Sequence, residues 1–114
     1  SEPLIAAVLK LLSLADPPTV ICFGNDEMAV RVYGILRTRG VRVPEHVSVA
    51  GYDNHSAIAE TLFPPLTSTE LPYMRMGALA AEILFDIIET KETARPPVRV
   101  VGETIWRQSV TALK

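Results

Sequence analysis

Two groups of polar residues are the best candidates for binding chemistry, and each follows a short apolar stretch. Asn25 and Asp26 come after the apolar residues 19–23, and Asp53 comes directly after the apolar residues 47–52. A carboxylate accepts several hydrogen bonds, and a carboxamide both donates and accepts them. Such groups therefore suit a ligand that is rich in hydroxyl or amide groups.

A purely structural role competes with ligand binding for the first group. Either Asn25 or Asp26 could cap the helix that the following sequence predicts, and both interpretations remain open. For Asp53 the sequence favours ligand binding, because no helix obviously starts directly after it.

The elements that position these groups alternate between helix and strand. An apolar stripe predicts a helix over residues 4–14, and a second stripe predicts one over residues 26–39. The apolar runs 19–23 and 47–52 predict strands, the first of them covered on both faces. This order indicates parallel strands in a three-layer α/β fold, in which ligands bind beyond the carboxyl ends of the strands.

The second half of the chain has a different pattern. Residues 66–69 predict a brief extended segment, residues 72–90 a long helix, and residues 98–109 a closing extended segment. The long helix carries apolar residues on two flanks, so it needs cover from elsewhere. We expect residues 72–90 to pack against another chain in a dimer or larger assembly.

Composition and motifs argue against several function classes. The net charge of -2 gives no basic surface for nucleic acid, and no apolar run approaches the length of a membrane span. Cys22, His46 and His55 match no metal-ligand spacing, and the glycine motifs of nucleotide sites and serine hydrolases do not occur. We therefore predict no catalytic residue, no metal and no cofactor.

One segment is more specific than any of these patterns. The sequence GVRVPEHVSVAGYD, residues 40–53, resembles the lactose-repressor/galactose-repressor (LacI/GalR) family of bacterial transcription regulators. The segments PPTVICFGNDEMAV, FPPLTSTELPYMRMG and ETIWRQSVT resemble other parts of that family in the same order. The resemblance covers nearly the whole chain.

This resemblance implies a type I periplasmic-binding-protein-like effector domain, of which the chain would be the C-terminal part. Residues 1–70 would form the C-terminal lobe, and residues 71–114 the crossover, helix and closing strand shared with the N-terminal lobe. Leu71 and Pro72 would act as the hinge. Asp53 and Asn25 would bind a small-molecule effector, sugar-like or nucleobase-like. His46 and Leu71 depart from the family's usual residues.

The resemblance also implies partners. A cytoplasmic homodimer would form through Val30, Tyr33, Leu62 and Phe63, and operator DNA would be bound by a helix-turn-helix domain outside this chain. Two alternatives have the same general architecture. One is a periplasmic sugar-binding protein of a transport system. The other is a phosphoacceptor receiver domain, but this chain lacks the late lysine that a receiver domain needs.

Overall fold

A computed structural model of the protein describes residues 2–113, which form four helices and four strands. In chain order these are α1 (Glu2–Leu12), β1 (Val20–Cys22), α2 (Asp26–Thr38), β2 (Ser48–Asp53), α3 (Ser56–Ala59), β3 (Thr67–Glu70), α4 (Tyr73–Thr90) and β4 (Thr104–Ile105). The predicted helices and the first two strands occur within a few residues of their expected bounds. Of the predicted closing segment 98–109, only β4 is a strand.

The strands form one sheet in the order β1-β2-β3-β4. Strands β1 and β2 are parallel, as predicted; β3 is also parallel to β2, and β4 is antiparallel to β3. In this sheet Ala50 of β2 is paired with Cys22 of β1 and Thr67 of β3. The central strand β2 therefore carries its carboxyl end, Asp53, between the ends of its two neighbours.

The described chain divides into two compact units, residues 2–70 with 103–113, and Leu71–Gly102. The chain leaves the first unit at Leu71, and residues 103–113 lie in the first unit again. They return to the first unit because β4 pairs with β3 and because the Ser109 amide donates to the carbonyl of Pro65 at 3.0 Å.

The core of the first unit lies between its helices and one face of the sheet. Helix α2 packs on β2, and both α1 and α3 contact α2. The largest fully buried apolar side chains are Leu36, Leu66, Val32, Val47 and Val49. Burial alternates along β1, where Ile21 is buried while Val20 and Cys22 are exposed.

The opposite face of the sheet is open within this unit. It bears a hollow of about 520 Å³ whose lining includes Val20, Tyr52 and Trp106, and Trp106 is 73% exposed. The prediction that β1 is covered on both faces is therefore wrong for the described residues. The reason is that the helices of this unit pack their buried residues into one core cluster, on the other face of the sheet.

The second unit consists of α4 and the segment that follows it. Helix α4 ends at Thr90, its C-cap Lys91 has a left-handed φ of 61°, and none of the residues of α4 is buried. Met74 is 92% exposed, and Leu84, Phe85 and Ile88 are also exposed. Among residues 2–113, no helix is long and apolar enough to cross a membrane.

One glycine marks the tightest contact between β2 and α2. A Cβ atom at Gly51 would overlap Oδ1 of Asp26 and would lie 2.9 Å from Cδ2 of Leu66. Gly34, on α2 in the same unit, has no such neighbour within 4 Å. The absence of a side chain at position 51 therefore lets the Asp26 carboxylate lie against the strand.

We predict that Gly51→Ala lowers the free energy of unfolding by about 2–3 kcal/mol, because an added methyl group cannot fit between Asp26 and Leu66. The control Gly34→Ala should raise it by up to about 1 kcal/mol, since alanine favours a helix and meets no neighbour there. Denaturant unfolding measures both. Equal stability of the Gly51→Ala variant and the wild type would contradict this packing.

Candidate ligand-binding site

The predicted ligand residues lie beyond the ends of neighbouring parallel strands. Asn25 follows β1 as the N-cap of α2, and Asp53 is the last residue of β2. Because parallel strands end at the same edge of a sheet, Asn25 and Asp53 belong to one edge. This is the edge where ligands of open α/β sheets bind.

Asn25 has a capping role. Its Oδ1 accepts a hydrogen bond from the Met28 amide at 2.8 Å, which satisfies one of the unpaired donors at the start of α2. The capping interpretation is therefore confirmed for Asn25. The cap engages Oδ1, whereas the Nδ2 group is a separate donor in a half-buried side chain.

Asp26 is the first residue of α2, and its side chain is fully buried. Its Oδ1 accepts a hydrogen bond from the Ser68 hydroxyl of β3 at 2.6 Å, and its Oδ2 accepts one from the His55 amide at 2.8 Å. The proposal that Asp26 caps α2 is therefore wrong. Its carboxylate instead joins β3 to the loop that follows β2.

That loop has an unusual backbone. Asp53 has a φ of 121° and Asn54 a φ of 54°, and neither residue is glycine. Positive φ is uncommon for such residues; each costs about 1–3 kcal/mol and persists only where the surroundings impose it. The one-turn helix α3 starts at Ser56, with His55 as its N-cap, so no helix starts directly after Asp53, as expected.

Two further hydrogen bonds hold the loop, and a third anchors Arg107, which makes one of them. The Asn54 amide donates to Oγ of Ser68 at 3.0 Å, and Nη2 of Arg107 donates to Oδ1 of Asn54 at 2.8 Å. Arg107 also donates through Nη1 to the carbonyl of Leu66 at 2.7 Å. The loop is therefore tied to α2 through Asp26, to β3 through Ser68 and to the C-terminal segment through Arg107.

Sequence reasoning missed the roles of Ser68 and Arg107. Both stand in segments that carried the family resemblance, but nothing in their spacing connects them to Asp53. Gly51 was the available signal, since a glycine inside a buried strand often marks a close approach by another group. That group is Asp26.

The four predicted dimer residues differ in accessibility. Val30 is 38% exposed and Phe63 is 81% exposed, whereas Tyr33 is buried in the core and Leu62 packs against it. The Tyr33 hydroxyl donates to the carbonyl of Pro64 at 3.0 Å, so this side chain is held within its own chain. Burial raises the pKa of Tyr33 to about 12.

His46 has a local role, since its Nδ1 accepts a hydrogen bond from the Arg42 amide at 2.8 Å. Within residues 2–113, no three histidine, cysteine, aspartate or glutamate side chains group in a way that could hold a metal ion. At the sheet edge, a carboxylate can accept hydrogen bonds, and an amide and backbone groups can donate or accept them.

Comparison with known proteins identifies relatives of this architecture. A family model described as "Periplasmic binding protein-like domain" matches residues 2–110. The chain is 37% identical over 109 residues to the HTH-type transcriptional repressor PurR of Vibrio cholerae, and the match covers 96% of this chain and 32% of the repressor. The chain thus spans about a third of the length of this relative.

Solved structures resemble the chain to a similar extent. A LacI-family transcriptional regulator from Rhizobium etli is 36% identical with a TM-score of 0.75, and the match covers 96% of this chain and 39% of that protein. A LacI-family regulator from Enterococcus faecium, solved with bound ribose, is 31% identical with a TM-score of 0.76, with coverages of 97% and 40%.

The capping and ligand roles of Asn25 can be separated by substitution. Asn25→Ala should lower the free energy of unfolding by about 1 kcal/mol, because it removes the acceptor for the Met28 amide. Asn25→Ser should retain nearly the full stability, since serine is a good N-cap residue. Thermal and denaturant unfolding measure the difference, and equal stability of the two variants would show that the cap contributes nothing.

Proposed function

Because this chain belongs to the periplasmic binding protein-like domain family, in the group of LacI-type transcriptional regulators, we propose that it senses a small-molecule effector for such a regulator. The observation that carries the proposal is the position of Asp53. It is the carboxylate at the end of the central strand, in a loop whose backbone is held by three parts of the first unit.

We propose a sugar as the effector class. A half-buried carboxylate that accepts hydrogen bonds from two vicinal hydroxyl groups suits a sugar, since bonds to a charged group are stronger than those to a neutral one. The ribose in the Enterococcus faecium structure supports this class. Asn25 lies at the same edge and would supply the Nδ2 donor while its Oδ1 keeps the cap.

The proposed output is a change in operator affinity in the cytoplasm. DNA contacts would come from a helix-turn-helix domain elsewhere in the gene product, which is consistent with the net charge of -2 of this chain. Leu71 and Pro72 lie at the boundary between the two compact units, and we propose that they act as the hinge.

We also propose a homodimer that uses the outer face of α2. Its exposed apolar residues are Val30 on α2 and Phe63 in the loop before β3. That loop lies against α2, since Nη2 of Arg37 donates to the carbonyl of Phe63 at 2.8 Å. In this proposal Tyr33 and Leu62 support the interface residues from the core side, because Tyr33 lies in the core and Leu62 packs against it. Helix-turn-helix proteins commonly read two half-sites as dimers, so a two-fold interface has a use here.

Asp53→Asn tests the binding role, because asparagine keeps the shape and tolerates positive φ but lacks the charge. In the full-length gene product we expect at least tenfold weaker binding of the tightest-binding sugar in a panel that includes ribose, measured by calorimetry, with nearly unchanged unfolding temperature. The control Asp16→Ala removes an equal charge from an exposed loop and should leave binding unchanged. Unchanged affinity of Asp53→Asn would remove Asp53 from the site.

Val30→Asp tests the interface. We expect the full-length protein to become monomeric in light scattering, because a charge would be buried at the centre of the proposed contact. The control Leu14→Asp changes another exposed apolar residue, in the loop after α1, and should leave the dimer intact. A Val30→Asp dimer that persists at micromolar concentration would refute this placement.

A further inference from the structure

We infer that Asp26 and Ser68 are positioning residues for the ligand-binding loop. Together they form a buried clamp that holds Asp53 and Asn54 at positive φ and so fixes the direction of the Asp53 carboxylate. The effect of the clamp on ligand affinity rests on the proposed function. The structural part of the inference, the control of the loop backbone, stands independently of any ligand.

The clamp is continuous from helix to loop. The Ser68 hydroxyl donates to Asp26 at 2.6 Å and accepts from the Asn54 amide at 3.0 Å, so one buried oxygen links the carboxylate to the loop. The second carboxylate oxygen takes the amide of His55, the next residue. Two successive loop amides therefore depend, directly or through Ser68, on Asp26.

The clamp is buried, so the loss of any of these hydrogen bonds leaves a polar group without a partner. Asp26 and Ser68 are both 0% exposed, so water cannot replace a lost partner. Among residues 2–113, no basic side chain forms an ion pair with Asp26, and its carboxylate accepts hydrogen bonds from the Ser68 hydroxyl and the His55 amide. A buried carboxylate needs such donors, and this one takes them from β3 and the loop.

The loop backbone explains what the clamp is for. Asp53 and Asn54 are consecutive non-glycine residues with positive φ, a conformation that persists only where the surroundings impose it. The first amide after Asp53 donates to Ser68, and the next donates to Asp26. Without these acceptors the loop would relax toward negative φ, and the carboxylate at position 53 would turn with it.

Ser68→Ala tests the clamp, because it removes the donor to Asp26 and the acceptor for the Asn54 amide at once. Ser109→Ala is a matched control in the same unit. Ser109 is also 0% exposed, and its hydroxyl also donates once, to the Val49 carbonyl at 2.6 Å, and accepts once, from the Thr67 amide at 2.8 Å. The two variants should therefore lose similar stability for different structural reasons.

The readout is the backbone φ of Asp53 and Asn54 in the full-length gene product, obtained from NMR chemical shifts without ligand. We expect Ser68→Ala to move both residues out of positive φ and Ser109→Ala to leave them unchanged. Ser68→Thr restores the hydroxyl and should return both angles, even though its added methyl group lowers stability. If Ser68→Ala does not fold, Arg107→Lys, which cannot reach Asn54 and Leu66 together, should loosen the same loop.

Ligand affinity then separates this inference from the proposed function. With the tightest-binding sugar of the panel as the probe, Ser68→Ala should bind at least tenfold more weakly than wild type, and Ser109→Ala within threefold of it. Unchanged loop angles in Ser68→Ala would overturn the clamp whatever the ligand. Altered angles with unchanged affinity would overturn its positioning role. Unchanged affinity in Asp53→Asn would remove Asp53 from the site and leave the clamp to be decided by the angles.

Discussion

A carboxylate buried without a cationic partner must find hydrogen-bond donors, and this requirement organises the carboxyl edge of the sheet. Asp26 meets it with the Ser68 hydroxyl and the His55 amide. The strand that passes beside it has to carry a glycine, Gly51, because any side chain there would overlap the carboxylate. The positions of α2, β3 and the loop after β2 thus depend on one another through a single side chain.

The same arrangement separates two tasks that a sheet edge must perform. Asn25 follows β1 and caps α2. The carboxylate of the next residue, Asp26, is buried and binds β3 and the loop after β2. Asp53 lies at the end of β2, and in the proposed site its carboxylate contacts the ligand while Asp26 and Ser68 hold the loop.

Much of the first unit follows from the sequence, because hydrophobic periodicity reports which face of an element is buried. It predicted α1, α2 and the parallel strands β1 and β2, as well as Asp53 at a strand end. It did not distinguish the buried Tyr33 from the exposed Val30, because a helix buried on two sides shows no clear outer flank. It could not find Ser68 or Arg107, because their contacts with the loop span sequence separations that periodicity does not report. The open face of the sheet was missed because an apolar strand has the same sequence pattern whether or not this chain covers its second face.

Amide hydrogen exchange of the wild-type protein tests the central claim most directly. The His55 amide lies in a loop, yet it donates to a fully buried carboxylate. If the clamp holds, the amides of Asn54 and His55 should be protected to within about tenfold of the Val49 amide, a core amide that donates to the carbonyl of Ser109. Exchange of both loop amides at the rate of an unstructured chain, with Val49 fully protected, would contradict the account.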